Sequence, residues 1–281
     1  MQITVVGQGY VGLPLAIAAS TSGNNVFGLD NNENKITTLK NGKSLIEDLS
    51  DELIREKIES KRYIPTTDAA VIKDSDVVLI CVPTPLTEEH KPDLTALIGA
   101  ITTVGKYLKA GSLVIVESTI EPGTCRNKLL PILIEESGLT ENEFNLAYSP
   151  ERIDPTNKTW QINNTPKLVA GLTEAAAYKA KDFYEKFIDS ITLCGSLEIA
   201  ETAKLLENSF RFINISFINE IAMYCQKIGV DVSEVITAAA TKPRSWPLVA
   251  ATTLAISCSR VSTARPKLAR RRTRLQTSVA P

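Results

Sequence analysis

The sequence is poor in the residues that build metal centres and catalytic triads. It has one histidine in 281 residues, His90, set in a polar turn. A histidine-based metal site or a Ser-His-Asp triad is therefore not expected. The five cysteines, Cys81, Cys125, Cys194, Cys225 and Cys258, are scattered without a C-x-x-C pair. That pattern argues against zinc and fits a reducing cytoplasm. No apolar run is long enough to cross a bilayer. The first residues show no basic segment ahead of an apolar one, so no signal peptide is expected. Acidic residues stop at Glu234, and nine of the 31 Lys and Arg follow it, with a run at Arg270, Arg271, Arg272 and Arg274. Up to that point the chain carries all 32 Asp and Glu and a net charge of about −10.

What is present at the start is an alternation of strands and helices. "QITVV" is a short β-branched run. "GQGYVG" follows at once, and then "LPLAIAA" at helical spacing. In Gly7-x-Gly9-x-x-Gly12 the first glycine permits a tight turn, the second a close approach of a pyrophosphate, and the third close helix–strand packing. The helix N-terminus offers free N–H groups to phosphates. A second strand, "NVFGLD", ends in Asp30 at the distance that ribose recognition needs. A carboxylate there accepts from ribose hydroxyls and repels a 2′-phosphate, which favours NAD over NADP. Tyr10 and Val11 in the turn, and Lys35 just past Asp30, complete this part of the candidate cofactor site.

The alternation continues through "DELIREKIES", "DVVLICVPTP", "LTALIGAITTVGKYL", "SLVIVEST", "PGTCRNKLLPILIEES" and "FNLAYSPER". The last of these reads as the final strand. Strands alternating with helices predict an α/β fold with a Rossmann-like, doubly wound parallel sheet. Ligands bind beyond the carboxyl ends of such strands. That topology puts Pro83, Thr84, Thr119 and Glu151 near one crevice.

From about residue 172 the pattern turns helical, with a candidate N-cap at Thr173 and a short strand, "SITLC". A run without Gly or Pro then extends to Gly229. It predicts one long helix, the spine of a helical domain or a dimer contact. On it Lys204 and Asn208 are i, i+4 and share a face. With Glu201 and Glu207 they read either as a solvated stripe or as a Lys–Asn pair that holds a substrate oxygen. Spacing alone leaves both open.

Taken together, "GQGYVGLPLA", "VLICVPTP", "VESTIEPGT", "YSPERIDP" and "EIAETAKLLENSFRFINISFINEIA" resemble the UDP-sugar 6-dehydrogenase family in its own motif order, from residue 1 to about 243. The resemblance implies NAD-dependent oxidation of a sugar C6 alcohol to the carboxylate in two hydride transfers, through a thiohemiacetal and a thioester on a cysteine. It implies Thr119 as the group positioning a water or the cofactor, and Glu151 as the acid assisting thioester hydrolysis. Lys204 and Asn208 would bind the reacting oxygens. "PERIDP" leans toward a UDP-N-acetylhexosamine. A UDP-sugar substrate and a homodimer through the long helix are implied, with no nucleic acid and no membrane as partners.

The family's Gly-Gly-His-Cys motif is expected shortly after "TKP" and is not there. Cys258 is the only thiol in that region, and its surroundings do not match the motif. The expected organisation is an NAD-binding domain over 1–171, a helical central domain over 172–243 and an aberrant basic tail over 244–281. The tail reads as a frameshift. Regrouping the codons of Pro247–Thr252 by one base permits Pro-Gly-Gly-Gly-His, although the next codon cannot encode Cys. A cloning scar, a genuine tail and a basic nucleic-acid arm are the alternatives. On this reading the chain as written lacks the complete oxidation. Two other functions stay open: a two-electron β-hydroxyacid dehydrogenase, which also uses Lys-x-x-x-Asn, and a non-catalytic NAD-binding remnant.

Overall fold

A computed structural model of the protein describes residues 1–152, 159 and 161–242. The tail from 244, with Cys258 and its arginine run, lies outside the described residues, as does the "IDP" of "SPERIDP". The chain divides into two compact units, Met1–Leu206 and a second that begins at Glu207.

The first unit is built on strands β1 (Gln2–Val6), β2 (Asn25–Leu29), β3 (Tyr63–Thr66), β4 (Val77–Ile80), β5 (Leu113–Val116), β6 (Asn145–Tyr148), β7 (Lys167–Gly171) and β8 (Ile191–Leu193). They form one sheet in the order β3-β2-β1-β4-β5-β6-β7-β8. The first six run parallel. β7 is antiparallel to β6, and β8 is parallel to β7. Strand order reverses between β1 and β4, which makes their carboxyl ends the switch point where such sheets bind ligands.

Burial on both faces explains the β-branched runs. In β4, Val77 and Leu79 pack into one core while Val78 and Ile80 pack into the other. This is the two-residue alternation of a pleated strand covered on each side. Helices α1 (Gly12–Thr21), α2 (Glu33–Lys40) and α3 (Asp51–Glu59) cover the first face with Leu13, Ile36 and Ile54. Helices α4 (Thr95–Tyr107) and α5 (Leu130–Ser137) cover the second with Leu97, Ile101 and Leu133. Helix α6 (Glu174–Tyr184) returns to the first face through Ala180, Phe183 and Tyr184. Thr173 caps it as expected, its side chain accepting from the Ala176 N–H at 3.1 Å.

Three features differ from the sequence reading. β3 has no counterpart there: it is four residues long and contains Pro65, which an edge strand tolerates. β6 is not the last strand of the sheet, because the unanticipated β7 pairs beside it and joins it to β8, the short strand expected at "SITLC". The stretch "PGTCRNKLLPILIEES" is not one regular α-helix: Cys125–Leu129 is π-helical, and α5 starts after it with Pro131 in its first turn. Proline lacks an N–H, and a first turn needs none.

Helix α7 (Leu197–Ile228) is the expected long helix, and Gly229 ends it at φ +74°. Its first turns bury Leu197, Ala200 and Glu201 in the first unit. In the second unit Ile218 packs with Ile236 of α8 (Val232–Ala240), beside Val232. Among the described residues no helix is long and apolar enough to cross a membrane.

Candidate functional site

The glycine turn joins β1 to α1 at the switch point. Gly7 has φ +93°, and its N–H donates to the Leu29 carbonyl at 2.8 Å. A Cβ on Gly7 would stand 2.7 Å from the Cys81 carbonyl oxygen, and one on Gly12 1.8 Å from that of Gly7. Both glycines are therefore steric requirements of β1, β4 and α1 meeting closely. Gly9 differs: a Cβ there would meet nothing within 4 Å. It faces open space, as expected where a phosphate group approaches the backbone. Val11 makes no side-chain cap on α1, and no acidic residue lies in the first turn. The helix thus presents its N–H groups and dipole to an anion. Tyr10 is exposed beside the turn and Val11 half-buried.

Asp30 follows β2 directly, with its carboxylate almost buried. Oδ1 accepts from the Asn32 N–H at 3.0 Å. Oδ2 accepts from the Gln8 N–H at 2.8 Å and from Lys35 Nζ at 3.3 Å. A carboxylate has about four acceptor positions. Three are used, so Asp30 can take one ribose hydroxyl as it stands and a second if Lys35 moves off. Glycine turn, uncapped helix and carboxylate together fit a dinucleotide with a free ribose diol.

Beyond β4, β5 and β6 the other sequence-predicted residues fall into two linked pairs. The Thr84 hydroxyl donates to the Thr119 carbonyl at 2.7 Å. Next to it, the Ser118 hydroxyl donates to the Val82 carbonyl at 2.6 Å. These bonds tie the start of the loop after β4, where Pro83 is exposed, to the end of β5. The second pair joins Lys204 to Glu151: Lys204 Nζ donates to the Glu151 carbonyl. Asn208 belongs to the second unit, where its Oδ1 accepts from Arg211 at 3.0 Å.

Sequence reasoning missed a buried ion pair behind Glu151. Glu117, the last charged residue before Ser118, accepts from Lys167 Nζ at 2.7 Å and from the Tyr184 hydroxyl. Both ionic side chains are shut off from water. The ammonium also lies 4.9 Å from the centroid of the Tyr184 ring. Burial pushes the Glu117 carboxyl up to about 7, although the Lys167 charge draws it back. Burial opposes the Lys167 charge, yet the facing carboxylates of Glu117 and Glu151 outweigh it and hold its pKa above the ordinary value. The Glu117 carbonyl accepts from the Glu151 N–H at 3.3 Å, and Glu151, Arg152, Lys167 and Ile188 line one recess. The available signal was a charge set directly against an apolar strand, "LVIVE" and "KLVAG", with an opposite charge on each.

Glu201 is a second miss, and no member of a solvated stripe. It is fully buried, accepting from the Gly123 N–H at 2.5 Å and the Cys125 N–H at 3.0 Å. It thereby caps the helical turn of "PGTC". Its spacing from Leu197 and Ala200, four and one residues back, already set it on their buried face.

No thiol among the described residues is set up as a nucleophile. Burial pushes the thiols of Cys81, Cys125 and Cys194 up, and Cys225 is buried.

Residues 1–188 match the NAD binding domain of the UDP-glucose/GDP-mannose dehydrogenase family, and residues 198–265 match its central domain. A UDP-N-acetyl-D-glucosamine 6-dehydrogenase of Salmonella typhi is 38% identical over 245 residues, covering 86% of this chain and 56% of the relative. A UDP-N-acetyl-D-mannosamine dehydrogenase of Pyrococcus horikoshii is 37% identical over 246 residues, covering 87% and 58%. Among solved structures, a UDP-D-ManNAc dehydrogenase of that organism superposes with a TM-score of 0.81 at 37% identity, covering 87% of this chain and 58% of the other. A ternary complex of a Pseudomonas aeruginosa GDP-mannose dehydrogenase gives 0.81 at 27% identity, covering 87% and 57%. The chain spans a little over half the length of the curated relatives it matches.

Proposed function

The chain belongs to the UDP-glucose/GDP-mannose dehydrogenase family, and on that premise we propose that the whole protein oxidises the C6 hydroxyl of a UDP-sugar to the uronate, with NAD as the oxidant. The sugar is a UDP-N-acetylhexosamine or UDP-glucose. Bound NAD supplies the hydride acceptor. The chain's own residues hold it, through the glycine turn, Asp30 and the Pro83–Thr84 loop, and orient the sugar against it.

One observation carries the reading: the Lys204 ammonium reaches the main chain of Glu151, at the same end of the sheet as the glycine turn. A lysine there sets positive charge where an alkoxide or oxyanion develops. In this proposal Lys204 and Asn208 bind the reacting oxygens, Thr119 positions a water or the cofactor, and Glu151 assists hydrolysis of the thioester on a cysteine. Exposed Phe210, Phe212, Ile213 and Phe217 on α7 support a homodimer through that helix. The four cysteines among the described residues are free, which supports a reducing compartment, the cytoplasm.

The test is incubation with NAD and UDP-N-acetylglucosamine, UDP-N-acetylmannosamine or UDP-glucose, reading NADH by absorbance and the sugar product by mass spectrometry. Residues 1–281 are expected to bind NAD without releasing uronate. A protein that continues into Gly-Gly-His-Cys is expected to form two NADH per uronate. Uronate made by residues 1–281 would sink the argument for a missing thiol. NADH formed from small hydroxyacids and from no UDP-sugar would favour the β-hydroxyacid reading.

A further inference from the structure

Beneath the glycine turn lies a polar cluster that dinucleotide binding does not by itself explain. Gln8 is fully buried. Its Nε2 donates to the Val5 carbonyl at 2.7 Å and to the Gly7 carbonyl at 3.3 Å. Its Oε1 accepts from the Tyr63 hydroxyl at 2.7 Å, and Tyr63, opening β3, is fully buried too. The main-chain N–H of the same Gln8 donates to Asp30 Oδ2. One residue thus ties the buried cluster to the carboxylate, by its side chain on one side and its peptide on the other. Three side-chain hydrogen bonds resist rotation of that peptide, which would lose the bond to Asp30. Gly28 leaves the space for this: a Cβ there would stand 2.5 Å from the Tyr63 hydroxyl oxygen and 2.7 Å from Gln8 Oε1. Burial first, and the Asp30 charge second, push the Tyr63 phenol up, so it stays a neutral donor.

We propose that Gln8 and Tyr63 are the positioning residues of ribose recognition: Tyr63 holds the Gln8 side chain, the Gln8 peptide holds Asp30, and Asp30 so held presents its free acceptor positions to the adenosine ribose. The inference deepens the cofactor reading and rests on it. It also explains why the residue between Gly7 and Gly9, which the glycine pattern leaves free, is a long amide. Only a chain of that length with an acceptor and two donors reaches both β1 and β3 from the turn.

The test is titration of the 281-residue chain with NAD and with NAD lacking the 2′-hydroxyl of the adenosine ribose, with a thermal melt for each variant. In the native chain the 2′-hydroxyl strengthens binding. Tyr63→Phe, which removes only the donor, weakens NAD by about five- to tenfold and the deoxy ligand by less than about twofold. Gln8→Met, which keeps length and volume, gives the same collapse of the ratio and serves if Tyr63→Phe does not fold. In an Asp30→Ala background neither change lowers NAD affinity further. Equal losses for both ligands, or losses that persist with Asp30→Ala, overturn the proposal by showing that the cluster supports the fold alone. A native chain that binds NAD with no preference for the 2′-hydroxyl overturns it as well. A native chain that binds no NAD sinks the cofactor reading itself.

Discussion

Two carboxylates at the carboxyl ends of the sheet carry the same companions, a lysine and a tyrosine, and differ in what surrounds them. Asp30 after β2 meets Lys35 at 3.3 Å, with the lysine 42% exposed, and Tyr63 reaches it only through Gln8. Glu117 after β5 meets Lys167 at 2.7 Å, with both side chains buried, and Tyr184 donates to it directly. In the first cluster part of the carboxylate's accepting capacity is left for a ligand. In the second, protein groups and a dry surrounding occupy it. Residue type therefore does not separate a ligand site from an internal strut. Access of water and the count of remaining acceptor positions do.

The largest expected effect comes from breaking the buried pair. Glu117→Leu leaves the Lys167 ammonium without its partner in a dry site, and a loss of about 3–5 kcal/mol of stability is expected in urea unfolding. Lys167→Met is expected to cost less at pH 6, because a carboxyl lifted to about 7 holds a proton there and leaves no unpaired charge. The double variant should recover most of the loss, since a buried ion pair and an apolar pair of similar volume are often close in stability. Equal losses for the two single variants would mean that the pair is not shielded as described.

A smaller effect is read from pH. Burial lifts Glu117 from its ordinary 4.5 to about 7, so the native state holds this proton more tightly than the unfolded chain. The contribution is fully present below about 4.5 and is lost as pH rises to about 7. Native stability minus that of Glu117→Gln should thus fall by about 2 kcal/mol between pH 5 and pH 8, and stay level above. Taking the difference removes the groups that act oppositely, such as Glu198, which its hydrogen bond from Arg126 holds down at about 2. A difference curve that rises over this range would contradict the stated ionisation of Glu117.

The alternation of strands and helices, the glycine turn and Asp30 were legible because local pattern encodes them. Apolar period, a Gly-x-Gly-x-x-Gly spacing and a strand of known length suffice to place them at one edge of a parallel sheet. The Gln8–Tyr63 bond was not legible, since it joins residues 55 apart through a strand, β3, that is too short and too proline-marked to read. Glu117, Lys167 and Glu201 stood beside apolar runs whose burial was readable, but their partners depend on how β5, β7 and α7 meet. Spacing set Lys204 and Asn208 on one face and no more, the family resemblance made them candidates, and the contact of Lys204 with Glu151 is tertiary, so no spacing encodes it.

The smallest expected effect sharpens the contrast most. Lys35→Met removes the lysine of the open cluster, as Lys167→Met removes that of the closed one. Water reaches Lys35 and screens its charge, and Asp30 keeps the N–H groups of Gln8 and Asn32. A stability change within about 0.5 kcal/mol is expected, against a severalfold larger loss for Lys167→Met in the same urea titration. If the two lysines cost the same, the Asp30 carboxylate would depend on Lys35 for its charge as Glu117 depends on Lys167. The acceptor position that Lys35 occupies would then be closed to a ribose hydroxyl, only one position would remain to offer, and the contrast between a ligand site and a strut would narrow to that single position.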